Sequence, residues 1–322
     1  MEQPLPVLSF LKSVEWQLIL NPNAYSKKCL RNTEIVIGQL VDAQISFQEY
    51  ITQDCQHCQE LLTHLCRIGK RHFMVVGGDG TLNVVINILF AAGVPTEEIF
   101  VLPIPSGTGN DWCRTHQYPT LDEFVNKLGD GCFISHDIGL VQSIANGTTT
   151  RRHFLNIAGF AFDATVIKAT FEKKTKCFES ATYLLNLLKV LLTFKAQKVK
   201  ISLPETSMEK PVFTIAVGLC QYNGNGMKQV PMANPTDGLF DVVVIEKIST
   251  GKVVKNVKKL YSGLHLNLPE VHVYQTDRLT LSSVEGLLGE VEGELLPQGD
   301  FEISLLPHAI HLFTFEKEHF AE

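Results

Sequence analysis

The stretch Val75-Val76-Gly77-Gly78-Asp79-Gly80-Thr81-Leu82-Asn83 decides the fold of the first part of this chain. An apolar run ends here in a glycine-rich turn, and a helical pattern begins directly after the turn. Glycines let the backbone approach a ligand closely, and the N-terminus of the following helix offers free N–H groups to a phosphate. A carboxylate inside the loop would repel a bare phosphate, so Asp79 indicates a role with magnesium or a substrate hydroxyl, or else a simple helix cap.

A second glycine-rich loop follows the next apolar run, in Pro103-Ile104-Pro105-Ser106-Gly107-Thr108-Gly109-Asn110-Asp111-Trp112. Both apolar runs, 73–76 and 99–104, are continuous rather than alternating, which is typical of strands covered by helices on both faces of a parallel sheet. Open α/β sheets bind ligands in loops at the carboxyl ends of such strands. Two such loops in succession therefore predict a binding site rather than two isolated turns.

The wider pattern predicts two domains. Strands at 16–20, 45–50, 73–76 and 99–104 alternate with helices at about 26–40, 54–69 and 81–92, which is typical of βαβ units. After about residue 130 short β-rich runs prevail, starting with a hairpin that joins Phe133–Val141 to His153–Ala158 across Asn146-Gly147. Two helices, at about 179–195 and 250–262, interrupt these strands. We expect an α/β domain over 1–135, with 307–322 packed back on it, and a mostly antiparallel β-sandwich domain over 136–306.

Composition and charge exclude several classes of protein. The 322 residues include 28 basic and 34 acidic side chains, a formal net charge of −6, which argues against a nucleic-acid binder. Lysines nevertheless concentrate in 168–200 and 247–259, as suits an anionic ligand or membrane surface. No signal-peptide pattern or membrane-spanning stretch is present, and eight scattered cysteines then predict a cytoplasmic chain with reduced thiols. Walker, dinucleotide-binding and protein-kinase motifs are absent as well.

The chain resembles the diacylglycerol kinase catalytic-domain superfamily, which includes sphingosine kinases and bacterial soluble lipid kinases. The resemblance extends from about 16 to 315 and depends mainly on the two glycine-rich loops. Shorter matches add to it, namely Asn21-Pro22, Thr52, His136-Asp137-Ile138-Gly139, Phe154-Leu155-Asn156-Ile157-Ala158-Gly159, Pro235-Thr236-Asp237-Gly238-Leu239-Phe240-Asp241 and Val291-Glu292-Gly293-Glu294. It implies a two-domain kinase of the NAD-kinase and lipid-kinase fold that uses ATP and Mg²⁺, with the nucleotide between the domains.

By the same resemblance, particular residues acquire roles. The nucleotide would be contacted by Asn21, Thr52, Gly78, Asp79, Gly80, Thr81, Ser106, Gly107, Thr108, Asn110 and Glu294. Phosphoryl transfer requires clustered carboxylates for magnesium, and the family pattern assigns these to Asp79, Asp111 and Asp137. Asp237, with a backbone carbonyl near Leu239, would organise the metal, although an Asp-Gly turn before a strand explains Asp237 equally well.

The last motif departs from the family pattern. Related bacterial kinases usually have Asp-Gly-Glu where this chain has Glu292-Gly293-Glu294, and in the family that Asp takes the proton of the substrate hydroxyl. Glu292 holds the position here with one more methylene, and a shift of about an ångström can cost about a hundredfold in rate. Asn21-Pro22-Asn23-Ala24 also lacks the glycine often found after Asn-Pro.

The resemblance therefore implies transfer of the ATP γ-phosphoryl group to a lipid hydroxyl of diacylglycerol or sphingoid type, with Asp79 and Glu292 as catalytic residues. A kinase for a soluble acceptor such as NAD and a catalytically silent nucleotide-binding module remain open. An apolar stripe in Ser180–Phe194, with lysines over 173–200, predicts peripheral membrane contact or else a helix that covers the β-rich core. Homodimerisation and the choice of lipid stay open, and the first fifteen residues have no assigned role.

Overall fold

The computed structural model describes residues 6–20, 27–107, 109–172 and 189–316. Asn21, Thr108 and most of the predicted helix at 179–195 lie outside these residues, as does most of the predicted membrane-contact segment 173–200. The chain divides into two compact units, Met1–Ile138 with Pro307–Glu322, and Gly139–Leu306. The first division, at 138/139, lies three residues beyond the domain boundary expected from the sequence.

The first unit is built on a parallel sheet flanked by helices. Strands β2, β1, β3 and β4 are neighbours in that order, and every pair among them is parallel. The predicted βαβ pattern is thereby confirmed. The elements in chain order are α1 (Val7–Ser13), β1 (Trp16–Leu20), α2 (Lys27–Asp42), β2 (Phe47–Ile51), α3 (Cys55–Arg67), β3 (His72–Gly77), α4 (Asp79–Ala91), β4 (Phe100–Pro105), α5 (Asp111–Thr115) and α6 (Leu121–Lys127).

Helix α1 was not expected from the sequence, yet it completes the core of this unit. Leu11 is fully buried in the same cluster as Trp16, Leu18 and Phe124. The indole N–H of Trp16 donates a hydrogen bond to the Leu11 carbonyl at 3.0 Å, so the one polar atom of a buried ring is satisfied. The helix therefore buries apolar side chains, although the sequence of the first fifteen residues shows no recognisable helical pattern.

Two long strands, β5 (Cys132–Ala145) and β15 (Asp300–Thr314), contain the points where the chain passes between the units. The sequence has two β-rich apolar runs, at 301–305 and 310–315, which predict two strands. Both lie within β15, which changes partners near His308, where φ is 48°. Its first part pairs antiparallel with residues 278–281, and then His311 and Leu312 pair in parallel with Phe100 and Val101 of β4. The end of β15, residues 307–314, is thus part of the first unit's sheet.

The second unit is mostly antiparallel, as predicted. Strands β14, β13, β7, β9, β8, β12 and the start of β15 are neighbours in that order, while β10 pairs with β9 and β11. Its core includes two aromatic pairs, Phe154 with Phe240 and Phe160 with Phe301. Its further elements are β6 (Thr148–Phe154), β7 (Ile157–Ala161), α7 (Phe162–Glu172), β8 (Gln197–Ser202), β9 (Ser207–Gly218), β10 (Phe240–Glu246), α8 (Thr250–Ser262), β11 (Val271–Thr276), β12 (Arg278–Ser282), β13 (Gly289–Val291) and β14 (Glu294–Leu295).

The hairpin between β5 and β6 is confirmed, with Asn146 and Gly147 both at positive φ, 51° and 75°. The predicted strand His153–Ala158 is wrong in extent, because β6 ends at Phe154 and β7 begins at Ile157. The backbone N–H groups between these strands donate to a side chain, as described below. Within the described part of the chain, no helix has both the length and the apolar composition needed to cross a membrane.

Candidate active site

The two glycine-rich loops touch each other through their backbones at the carboxyl ends of β3 and β4. The N–H of Ser106 donates to the carbonyl of Gly77 at 3.0 Å. A Cβ atom on Gly78 would stand 2.6 Å from the carbonyl oxygen of Gly109, and one on Gly107 would stand 2.6 Å from the Cα of Gly78. Real Cβ atoms do not come this close to backbone, so these glycines are required for the loops to meet.

Asp79 links the first loop to the helix that follows the second. It is the first residue of α4, and its carboxylate accepts hydrogen bonds from the N–H groups of Asp111 at 2.8 Å and Trp112 at 3.0 Å. The side chain therefore caps α5 rather than α4. Burial raises the pKa of Asp79, the two backbone N–H groups oppose this rise, and the charge of Asp111 adds to it.

The first residues of α4 present different environments to a ligand. Gly80 is exposed, and no atom lies within 4 Å of the position that a Cβ atom would occupy there. The Thr81 side chain instead packs toward Gly77, where an added Cβ would lie 2.5 Å from the threonine Cβ. Gly80 is therefore the open point of this loop, and Thr81 faces the strand that precedes it.

Asn110 shapes the second loop. Its side-chain amide donates to the Gly107 carbonyl at 3.0 Å, while its Oδ1 is buried without a hydrogen-bond partner among the described residues. Ser106, at the start of the same loop, is also buried. A buried amide oxygen without a partner costs free energy, which is consistent with a site completed by a ligand.

Three other predicted residues are engaged in contacts within the first unit. The hydroxyl of Thr52 donates to the carbonyl of Leu20 at 3.0 Å, so it joins the ends of β1 and β2. Asp137 is fully buried, and its carboxylate accepts the backbone N–H of His308 at 2.7 Å. Asp111, which is also buried, pairs with the guanidinium of Arg114 at 3.2 Å.

In the second unit, Glu292 lies in a tight turn at the end of β13. Glu292 and Gly293 both have positive φ, 49° and 87°. The Oε1 atom of Glu292 accepts the N–H groups of Leu155 at 2.8 Å and Asn156 at 2.9 Å. These are the amides that interrupt the predicted strand His153–Ala158. The extra methylene relative to Asp is thus used to reach the gap between β6 and β7.

A second carboxyl group, Glu290, lies beneath this turn and was missed from the sequence. Its Oε2 accepts the N–H of Gly293 at 2.7 Å. Burial raises the pKa of Glu290 to about 8, the hydrogen bond from Gly293 opposes this, and the charges of Asp163 and Glu292 raise it further. Glu290 is therefore mostly protonated at neutral pH. No periodic pattern in the sequence links it to Glu292, because β13 ends at Val291 and Glu292 lies in a turn with positive φ.

Asp163, also missed, is the other acid of this cluster. Burial raises its pKa to about 6, and the side-chain amide of Gln229 donates to it at 2.6 Å. Both acids lie against Gly159. A Cβ atom on this residue would stand 2.5 Å from Glu290 Oε1 and 3.3 Å from Asp163 Oδ2, so the glycine leaves room for the two carboxyl groups. The second unit therefore holds three neighbouring carboxyl groups around one turn.

The predicted metal loop forms a turn in which the Leu239 N–H donates to Asp237 Oδ1 at 3.0 Å. Asp241 of β10, which the sequence did not single out, is 1% exposed, and neither of its carboxylate oxygens makes a well-formed hydrogen bond in the described chain. Burial raises the pKa of Asp241 to about 6, the charge of Asp237 raises it further, and the side chain of Gln275 opposes this rise. A buried carboxylate with an exposed carboxylate, Asp237, close to it fits a hard cation such as Mg²⁺. Glu294, assigned to the nucleotide by resemblance, forms an ion pair with Arg152.

Comparisons with known proteins agree with both units. Residues 15–141 match the family model described as the diacylglycerol kinase catalytic domain, and residues 157–314 match the model described as the YegS C-terminal NAD kinase beta sandwich-like domain. Together these matches cover most of each unit.

Individual relatives are similar over nearly their whole length. A diacylglycerol kinase of Staphylococcus saprophyticus is 26% identical over 305 residues, which cover 92% of this chain and 94% of that protein. A diacylglycerol kinase of Mycobacterium tuberculosis is 24% identical over 299 residues, with 91% and 93% covered. The crystal structure of a diacylglycerol kinase from Bacillus anthracis has the same fold, with a TM-score of 0.68 at 18% identity over 95% of this chain and 98% of that chain.

Proposed function

This chain belongs to the diacylglycerol kinase catalytic-domain superfamily, and from that premise we propose that it is an ATP-dependent kinase that phosphorylates a lipid hydroxyl. The observation that carries the proposal is the backbone contact between Gly78 and the loop of Gly107 and Gly109. It brings two glycine-rich loops together at the carboxyl ends of neighbouring parallel strands, which is where such sheets bind ligands.

The first unit would bind the phosphates of ATP. Its loops offer backbone N–H groups and the N-terminus of α4, and Gly80 leaves room for a phosphate to approach the backbone. The carboxylate of Asp79 would hold the two loops together rather than contact the phosphates, because both of its oxygens accept hydrogen bonds from backbone amides of α5.

The second unit would supply the base. Two charge-assisted hydrogen bonds from Leu155 and Asn156 fix the Glu292 carboxylate in one position. In the proposed reaction this carboxylate accepts the proton of the lipid hydroxyl as the oxygen attacks the γ-phosphorus and ADP leaves. Glu290, mostly protonated at neutral pH, holds the turn without adding a second full charge beside the base.

Magnesium would be held by acidic side chains of this chain, among which Asp237 and Asp241 fit best in the second unit. When bound, Mg²⁺ neutralises charge on the phosphate oxygens. In the first unit, Asp111 is already paired with Arg114, and the carboxylate of Asp137 with the backbone of His308.

The test is transfer of radiolabel from γ-labelled ATP to lipid in mixed vesicles of diacylglycerol, a sphingoid base and phospholipid, with magnesium. We expect a labelled lipid, whose chromatographic mobility then identifies the acceptor class. Glu292→Gln should abolish the product, because Gln can still accept the Leu155 and Asn156 amides but cannot take a proton. Glu285→Gln, at an exposed glutamate of the preceding loop, is the matched control and should retain activity.

A soluble acceptor is the second candidate, favoured by the NAD kinase relation stated for the β-sandwich domain that matches residues 157–314. In the same assay NAD would replace the vesicles. Labelled NADP formed without lipid would establish this alternative, whereas lipid-dependent labelling alone would exclude it. ATP binding with no labelled product of either kind would support the silent module.

A further inference from the structure

Helix α8 carries an exposed apolar stripe. Val254, Val257, Tyr261 and Leu264, the last just beyond the end of the helix, are 51%, 40%, 55% and 53% exposed. The spacing of three and four residues places Val254, Val257 and Tyr261 on one face of the helix, and Leu264 follows directly after Gly263, which ends it. Val253 instead points toward the core, where it packs near Phe162 and Phe213. About half of the surface of each stripe residue therefore remains exposed outside the unit's own core.

Lysines surround this stripe. Residues 247–259 contain five lysines and no acid. Lys252 pairs with Glu270, but Lys255, Lys258 and Lys259 form no ion pair with any described residue. On a chain of net charge −6, this concentrates uncompensated positive charge beside exposed apolar side chains.

We propose that this face, comprising Val254, Val257, Tyr261 and the adjacent Leu264 with Lys255 and Lys258, docks the protein on an anionic lipid bilayer. We refer to it as the α8 face. A helix that lies in a bilayer interface has this composition, with apolar side chains at the acyl boundary and lysines at anionic headgroups. The proposal adds to the proposed function a route by which a kinase collects a lipid substrate, but docking itself requires no catalysis.

Charge complementarity favours a bilayer over a second copy of the chain. A symmetric dimer through the α8 face would bring the same lysines of both copies together, and like charges that meet at an interface cost several kcal/mol. A surface of anionic headgroups instead attracts every lysine at once. A second copy is therefore the competing occupant that the experiment has to exclude.

The experiment is sedimentation of the full chain with vesicles, without nucleotide. One set of vesicles is phosphatidylcholine alone, and the other contains phosphatidylglycerol as well. We expect binding to the second set, weakened as salt rises from about 0.1 M to about 1 M, because the screening length falls from about 10 Å to about 3 Å. Lys255→Ala and Lys258→Ala should each lower the affinity about fivefold, the factor that corresponds to about 1 kcal/mol per lysine.

Apolar and control substitutions complete the set. Val257→Ser and Tyr261→Ser should weaken binding at both salt concentrations, since their contribution is not electrostatic. Lys12→Ala in α1 and Val284→Ser, at a valine that is fully exposed, are the matched controls and should bind like the native chain. Equal binding by the native chain and all α8 variants, or no binding by the native chain, would overturn the proposal. A native dimer in light scattering that Tyr261→Ser converts to a monomer, without vesicle binding, would assign the face to a second copy and likewise overturn it.

Failure of docking and failure of the proposed function can be told apart. Lipid phosphorylation is measured in parallel in uncharged detergent micelles, where the α8 variants should be as active as the native chain. Activity in micelles without vesicle binding would refute only the α8 face. Vesicle binding that the α8 variants lose, with no phosphorylated product under any condition, would support the α8 face and refute only the kinase.

Discussion

A methyl group on Gly107 would stand 2.6 Å from the Cα atom of Gly78. Neither residue has positive φ, so it is close packing rather than backbone conformation that requires glycine at both positions. The glycines that the sequence alone assigns to phosphate binding thus have a second function, which is to let the two loops pack against each other. Any substitution in this motif has to be interpreted with both functions in mind.

Gly78→Ala should lower the stability of the protein by about 1 to 3 kcal/mol, because its Cβ would stand 2.6 Å from the Gly109 carbonyl and the loops would have to separate. Thermal unfolding measures this change. Gly80→Ala is the control, since among the described residues no atom outside the helix's own backbone and the adjacent residues lies within 4 Å of the new methyl group. Its stability should be unchanged or slightly higher, so weaker ATP binding by this variant in calorimetry would locate the nucleotide at Gly80. Equal destabilisation by both substitutions would contradict the loop contact.

Asp79→Asn should destabilise the protein by about 1 to 3 kcal/mol. An amide has one acceptor oxygen, so its NH₂ group would face one of the two N–H groups that the carboxylate now satisfies. Hydrogen exchange at the amides of Asp111 and Trp112 should become faster. Asp130→Asn, at an exposed aspartate, provides the comparison. Unchanged exchange at both amides would show that the cap is not needed.

Glu292→Asp separates the kinase from the silent module. In the native protein the longer side chain reaches the Leu155 and Asn156 amides. If Glu292 is the working base, shortening it by one methylene should lower kcat for lipid phosphorylation by about a hundredfold. The silent-module hypothesis predicts the opposite, that Asp restores an activity that the native chain lacks. ATP affinity, measured in parallel, should stay the same in either case.

Glu290→Gln should remove a pH dependence of stability. The folded protein raises the pKa of Glu290 from 4.5 to about 8, so it retains a proton that the unfolded chain releases. This contribution is complete below the unfolded value and is lost as pH rises toward 8, with a slope of about 1.4 kcal/mol per pH unit. Between about pH 6.5 and 8 the free energy of unfolding of the native chain in urea should therefore fall by about 2 kcal/mol relative to that of Glu290→Gln.

That window is chosen because Asp163 and Asp241, with pKa values of about 6, have mostly released their protons below it. Gln mimics the protonated acid and can still accept the Gly293 N–H. Buried histidines such as His116 and His136, whose pKa values burial lowers, make the stability of both proteins rise with pH and cancel in the difference between them. Glu285→Gln should follow the native slope. A variant that loses as much stability as the native chain would show that Glu290 does not hold the proton.

Helices and strands whose apolar residues follow a regular spacing were predictable from the sequence. Continuous apolar residues at 73–76 predicted β3, because both of its faces are covered. The helix at 250–262 was predicted with its observed bounds. Its apolar residues repeat with the helical period of 3.6 between Ser249 and Gly263, and Gly263 ends the helix in the left-handed conformation. The two strands predicted at 301–305 and 310–315 belong to one strand, because ladder pairing continues on both sides of His308, with φ 48°, while the partner changes.

Local sequence determined which residues are buried in regular elements and where the glycine-rich loops begin. Tertiary structure alone decided what the side chains in those loops contact. Asp79 meets the amides of α5, and Glu290 meets Asp163, only because sheet pairing brings together segments distant in the chain. The physical reason is that hydrophobic periodicity is a property of neighbouring residues, whereas the partners and protonation of a buried carboxyl group depend on whichever distant groups surround it.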